Sequence, residues 1–129
     1  GQEYGADIIN DLHGETQNVI VRKKLAMRSG ETDIAQLVDE PIIKDTLFRL
    51  GKVTKHIANM DCDVFLVNGL PYVLEMNARF GGGYPFSHMG GCNLPKAIVD
   101  WAEGKTVDKS VISAKTGITG YKEIYITEI

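Results

Sequence analysis

A chain of 129 residues with 43% hydrophobic content is sized for one compact domain, and nothing in it marks a second. Its formal net charge of −3 comes without a basic block, which argues against non-specific nucleic-acid binding. No run of about 18 apolar residues could span a bilayer, the first residues carry no basic-then-apolar signal, and Cys62 and Cys92 form no Cys-x-x-Cys pair, so we expect a cytoplasmic protein with two reduced thiols.

Residues 3–12 are mixed and β-compatible, His13-Gly14-Glu15 supplies a turn, and residues 18–25 form a second β-rich run; together they read as a hairpin. Asp7 and Asp11 lie on it and are expected in solvent, Asp7 being the one that could face a site. Residues 28–32 read as a polar, glycine-bearing loop and 34–38 as a third strand. Asp39-Glu40-Pro41 marks a helix start, with acidic residues near the positive end of the helix dipole. Ile43, Leu47, Leu50 and Ile57, with Val53 close to the stripe, give an amphipathic helix of about four turns. Gly51 weakens it by roughly 1 kcal/mol. Residues 62–67 and 72–76 are β-rich, and Asn68-Gly69 between them is a strong hairpin signal. Residues 81–91 carry five glycines and a proline and predict a loop with little regular structure. Asn93 caps a helix over 94–103, with Pro95 in the first turn, Gly104 at the stop, and Ile98 and Trp101 on the buried side. Residues 121–129 alternate and predict a final strand. Hairpins with helices between them imply an α+β fold, a largely antiparallel sheet with helices on one face.

The chemistry concentrates where an apolar run ends in Glu75-Met76-Asn77-Ala78-Arg79 and three glycines. Glu75, Asn77 and Arg79 stand at alternate positions, so a strand points them to one face. Asp63 stands five residues before Asn68, and Glu75 six after Gly69, so the hairpin brings the two carboxylates roughly opposite each other. Facing like charges are unfavourable unless a cation lies between them. Oxygen donors from Asp63, Glu75 and Asn77 favour magnesium or manganese over zinc, with water or phosphate completing the shell. Arg79 is either a salt-bridge partner or a bidentate clamp on phosphate oxygens.

The run Arg22-Lys23-Lys24 reads as a solvated edge strand or as cations approaching phosphates. Arg28, beside the Ser29-Gly30 turn, is the better phosphate candidate, because glycine lets it reach inward. The glycines at 81–83, ahead of a helix, permit backbone N–H groups to approach an anion. No Gly-Lys-Ser/Thr follows, so this is not a Walker loop. His88 is a general base, a substrate contact or a structural residue. His13 and His56 read as turn and helix-surface positions without a role.

Taken together, these residues resemble the C-terminal half of an ATP-grasp domain, of the carbamoyl-phosphate-synthase-like and carboxylate–amine ligase branch. Three segments carry the resemblance: Glu75-x-Asn77-x-Arg79 with its glycines, Asp63 in the place of the family's other metal ligand, and Arg22-Lys23-Lys24-Leu25 with Arg28–Thr32 along the phosphate side. It covers residues 1–104, with 105–129 as an extension bearing the final strand, all in one domain. The resemblance implies ATP with Mg2+ or Mn2+ as cofactors, and Asp63, Glu75 and Asn77 as metal ligands. It implies Arg79 as the residue that steadies the transferred phosphoryl group, with Arg28, Glu75, Asn77 and Arg79 around the nucleotide. The implied reaction activates a small-molecule carboxylate as an acyl phosphate for attack by an amine. Ala78 replaces the usual proline. The lysine-bearing, adenine-reading half of the family's domain is expected ahead of Gly1 as the missing partner. The chain alone is therefore expected to be inactive, with homodimerisation through the uncovered face. The alternative is a non-catalytic α+β interaction module that keeps the half-fold. Neither nucleic acid nor membrane is expected as a partner.

Overall fold

The computed structural model describes all residues, 1–129. Six strands form one antiparallel sheet: β1 (Gln2–Asn10), β2 (Thr16–Arg28), β3 (Glu31–Val38), β4 (Asn59–Val67), β5 (Leu70–Asn77) and β6 (Thr119–Tyr121), in the spatial order β5-β4-β1-β2-β3-β6. Three helices accompany them: α1 (Pro41–Thr54), α2 (Tyr84–Met89) and α3 (Leu94–Ala102). None is long and apolar enough to cross a membrane.

The α+β class and the antiparallel sheet are as expected, but the helices cover both faces. Alternation along β1 and β2 explains this. Ala6 and Ile8 with Val19 and Val21 face α1, where Ile43 and Leu47 close one core with Met60, Cys62 and Val64. Ile9 with Ile20 faces the other way and packs with Ala35 and Leu37 under Tyr84, Phe86, Leu94 and Ala97 of α2 and α3. Both faces of β1 are apolar at that end, so each needs its own cover.

Other expectations shift. The run Arg22-Lys23-Lys24 lies on β2, which is flanked by β1 and β3, so it is no edge strand. The loop at 28–32 shrinks to a turn at Ser29 and Gly30, both at positive φ (51° and 80°), and β3 starts at Glu31. Helix α1 ends at Thr54 in a left-handed Lys55, which leaves Val53 and Ile57 exposed rather than in the stripe. Gly51 is a contact residue: a Cβ there would meet Thr16 Oγ1 at 2.5 Å and Ile8 Cγ2 at 2.9 Å, so its bare backbone lets α1 approach the sheet. His56, just past that helix, is buried, with Nε2 2.9 Å from the Ile8 carbonyl and Nδ1 2.7 Å from Thr54 Oγ1.

Residues 81–91 contain helix α2, because Tyr84 and Phe86 have a core to enter. On α3, Asn93 caps as expected by accepting from the Lys96 N–H; Leu94 and Ala97 are fully buried, Ile98 and Trp101 partly. The final strand is short. It pairs with β3 only from Tyr121 opposite Ile34 to Thr119 opposite Gln36. In that register it would run off the β3 start at Glu31 past Ile124, and residues 122–129 lie outside regular structure with Ile124, Tyr125 and Ile126 exposed.

Candidate metal and phosphate cleft

The face of the sheet that carries α2 and α3 is apolar at one end and charged at the other. Asp7 on β1 stands at the boundary. Beyond it, β2 presents Arg22 and Lys24, β4 presents Asp61 and Asp63, and β5 presents Glu75 and Asn77. These side chains, except Asp7, line an open cleft of about 270 Å³ with Arg79 and the backbone of Gly82 and Gly83.

A bulge sets this arrangement. The two residues Asn68 and Gly69 turn at positive φ (51° and 76°), which suits the twist of a tight hairpin. From Val67 opposite Leu70 the register runs regularly to Val64 opposite Val73. Leu74 is then an extra residue, and Asp63 pairs with Glu75. A register continued without that shift would place Leu74 and Met76 in the cleft and turn Glu75 to the face of Cys62 and Val64. As built, two rungs face the cleft, Asp63 with Glu75 and Asp61 with Asn77. The Asn77 amide donates to Glu75 Oε1 at 3.1 Å.

Two cations reach across β1 to these aspartates. Neighbouring strands lie about 4.8 Å apart, so each cation and the aspartate it meets together span roughly 10 Å of sheet. Arg22 donates from Nη1 to Asp7 Oδ2 at 2.7 Å and from Nη2 to Asp61 Oδ1 at 3.1 Å. Lys24 donates to Asp63 Oδ1 at 2.7 Å and to Glu3. Asp7, expected in solvent, is 0% exposed, and Arg22 is 2% exposed. Asp7 also accepts from Ser87 Oγ of α2 at 2.6 Å and from the Asn59 amide at 2.9 Å. These donors satisfy the oxygens of a side chain that burial would otherwise leave unpartnered.

The glycine run serves this network. A Cβ on Gly81 would overlap the Asp61 carboxylate, and one on Gly83 the Arg22 guanidinium. The glycines therefore let the loop lie flat on the ion pairs. They precede a helix of only six residues, too short to supply an anion site through its dipole. Asn59 ties the same loop down by donating to the Arg79 carbonyl at 3.3 Å.

Burial raises the pKa of Asp61 above 3.8; Arg22 opposes this, while Asp7 and Asp63 add to it. For Lys24, burial works against the charge, but hydrogen bonds to Asp63 and Glu3 outweigh it and raise the pKa above 10.5. Burial pushes the Cys62 thiol up to about 12, with help from Asp63 and Asp61.

Of the residues singled out from the sequence, Asp63, Glu75, Asn77 and Arg79 meet in this cleft. Arg79 lies 3.8 Å from Asp61 and is more than half exposed. Arg28 does not join them: at the end of β2 it borders a neighbouring groove with Asp33, its partner at 3.7 Å, and Lys122. His88 is likewise outside the cleft, on α2, with Nδ1 3.1 Å from Tyr84 Oη. Asp61 and Glu3 had no assigned role, and Arg22 and Lys24 read from the sequence either as a solvated edge strand or as cations near phosphates; both line the cleft. The spacing Asp61-Cys62-Asp63 already placed Asp61 on the face of Asp63.

No three His, Cys, Asp or Glu side chains close into a ready metal cage. The donors fit a hard cation that keeps other oxygen ligands: two carboxylates opposed across one rung and an amide, all oxygen, in an open cleft.

The fold is similar to that of biotin carboxylase from Campylobacter jejuni in its β-γ-ATP complex, with 20% identity, a TM-score of 0.64, and coverage of 88% of this chain and 28% of that one. It is similar to the biotin carboxylase domain of thermophilic 2-oxoglutarate carboxylase bound to bicarbonate (16% identity, TM-score 0.65, 88% and 28% covered). It is also similar to urea amidolyase from K. lactis (17% identity, TM-score 0.66, 92% and 8% covered). At such identities the likeness is one of fold, and the chain spans less than a third of each of these proteins. No curated protein matches it. The family model described as ATP-grasp in the biosynthetic pathway with Ter operon matches residues 1–124, and the chain belongs to that ATP-grasp family.

Proposed function

We propose that this chain supplies the metal- and phosphate-binding face of an ATP- and magnesium-dependent ligase, which activates a carboxylate as an acyl phosphate for attack by an amine or similar nucleophile. The observation that carries this is the rung Asp63–Glu75. Two carboxylates sit directly opposite on adjacent strands, held there by a bulge, with an amide and a guanidinium beside them. Like charges so placed are destabilising by themselves. In and around the cleft, the carboxylates of Glu3, Asp7, Glu31, Asp61, Asp63 and Glu75 outnumber the cations Arg22, Lys24, Arg79 and Lys122 by two, and Glu75 has no ion-pair partner, which suits one divalent ion.

Glu75 and Asn77 would hold the metal with Asp63. The bound metal supplies charge neutralisation for phosphate oxygens during transfer. Asn77 orients Glu75 through its amide. Arg79, exposed at the rim, is free to clamp a phosphoryl group bidentately. The Arg22 network fixes the strand ends and the glycine loop, so these donors keep their places without reorganisation. The adenine-binding half comes from another segment or chain; alone, residues 1–129 hold metal weakly and turn nothing over.

Manganese titration followed by NMR tests the site. Broadening is expected first at Glu75, Asn77 and Asp63. Broadening centred elsewhere, or none, removes the metal assignment. With the adenine-binding half supplied, a carboxylate-dependent release of ADP that Glu75→Gln abolishes is the expected activity.

A further inference from the structure

Lys24 lines the acidic cleft, and its run reads as cations near phosphates, yet its contact with a carboxylate proposed for the metal has no task in that reading. Its side chain is only 8% exposed. It leaves β2, crosses β1, and ends 2.7 Å from Asp63 Oδ1 on β4, with Glu3 of β1 as second partner. A lysine so held has given up most of its rotamer freedom for these contacts. Asp63 is the carboxylate opposite Glu75, and Lys24 is its hydrogen-bonded cation. Glu75 has only the Asn77 amide. A dication drawn to Asp63 and Glu75 must therefore contend with an ammonium already at Asp63, because two cations at such range repel.

We propose that Lys24 is a resident counter-ion: it holds Asp63 until a divalent cation takes that carboxylate, and the displaced ammonium then contacts a polyphosphate in the same cleft. This rests on the metal site proposed above. Glu3 keeps Nζ tethered, so the displacement is short. Arg22 is unsuited to this part, since Asp7 and Asp61 both hold it and Gly83 covers it. Lys24 thus weakens the binding of bare metal and strengthens the binding of polyphosphate once metal is present.

The test uses the 129-residue chain with Lys24→Met and Lys24→Gln, the second as the better-solvated replacement should the first misfold. Lys23→Met is the control, because it removes the same charge from the opposite face of β2. Free Mn2+ is followed by electron paramagnetic resonance; inorganic tripolyphosphate is then titrated at saturating Mg2+ by calorimetry. Removing one charge at contact range is expected to tighten Mn2+ binding about tenfold and to weaken tripolyphosphate binding about tenfold, with Lys23→Met near the parent in both. Mn2+ binding by the Lys24 variants without binding by the parent also supports the counter-ion role. Parent affinity for Mn2+ equal to or above that of the Lys24 variants, an equal gain in Lys23→Met, or unchanged tripolyphosphate binding overturns the role of Lys24 while the metal site stands. Absence of Mn2+ binding in the parent and both Lys24 variants overturns the metal site and the role of Lys24 together.

Discussion

Replacing Arg22 by methionine should be the most damaging single change on the charged face of the sheet. Methionine keeps much of the aliphatic stem and removes the guanidinium. Asp7 would then lie fully buried, 2.7 Å from where its counter-charge had been. Breaking a buried pair by deleting one partner costs about 3–5 kcal/mol, because the other charge is left uncompensated. Asp7 keeps Ser87 at 2.6 Å and Asn59 at 2.9 Å, which favours the lower end, about 3 kcal/mol. Asp61 loses a partner too, but it is partly exposed and can recover water. For a domain of this size such a loss lowers Tm by roughly 10–15 °C. Urea unfolding followed by circular dichroism gives the free energy, and an unchanged slope shows that both states keep their extents. Adding Asp7→Asn to Arg22→Met should restore about 1–2 kcal/mol, since a neutral amide tolerates burial with the same neighbours. A cost below about 1 kcal/mol for Arg22→Met, or a double variant less stable than the single one, would refute the view that the Asp7–Arg22 pair is a dry, mutually dependent unit.

Gly83→Ala should cost roughly 1–3 kcal/mol, because its Cβ overlaps a guanidinium that has no room to retreat; a neutral effect on melting would mean the loop does not rest on Arg22. Deleting Leu74 should leave Asp63 opposite Glu75, since the extra residue of the bulge is the one removed; cross-strand nuclear Overhauser effects between positions 63 and 75 check this, and their loss would show that the strand re-registers. Asp61 has a folded-state pKa above 3.8, so the folded chain binds its proton more tightly than the unfolded one. Its contribution to stability is fully present below 3.8 and falls as pH rises through the folded value; the stability of the parent relative to Asp61→Asn should decline over that window, and a rise would contradict the sign. Cys62 and Cys92 are buried with thiols pushed to about 12, so neither should react with iodoacetamide at pH 8 in the folded chain, and rapid labelling of either would show that the core opens.

The sequence disclosed the cleft residues on β4 and β5 better than the fold around them. Alternation in Glu75-Met76-Asn77-Ala78-Arg79 and the Asn68-Gly69 turn were enough to gather Asp63, Glu75 and Asn77. The simple hairpin, however, puts Leu74 opposite Asp63; only the bulge delivers Glu75, and a one-residue insertion leaves no mark in composition. Arg22 and Asp7 misled for a different reason. Charged residues are almost never fully buried unless paired, so each alone reads as surface. Their pairing is a tertiary fact: Asp7 sits on β1, Arg22 on β2, and Ser87 eighty residues later on α2. Helix α2 was hidden by its own glycines, whose purpose is contact with Asp61 and Arg22 and not freedom of the loop. Residues 121–129 had the right alternation and no partner long enough to use it.

The two cation bridges across β1 have the same plan but different fates, and burial decides between them. Arg22 lies beneath Gly83 with its Nε unpartnered, so moving it would leave Asp7 buried without a counter-charge. Lys24 lies two residues further along β2, past the cover of the loop, and its partners Glu3 and Asp63 are each about a third exposed. An ion pair in that position costs little to open, because water or a metal can replace the lost partner. The inner bridge is therefore fitted to hold the site's shape, and the outer one to respond to what enters it. Exchanging the two cations, Arg22→Lys with Lys24→Arg, tests this division. A compact ammonium cannot serve Asp7 and Asp61 through two planar forks, so stability should fall by about 1–3 kcal/mol. The outer guanidinium should grip Asp63 more firmly, so Mn2+ affinity should fall as well. An exchange that leaves both quantities unchanged would show that the two bridges are interchangeable and that depth in the cleft does not set their roles.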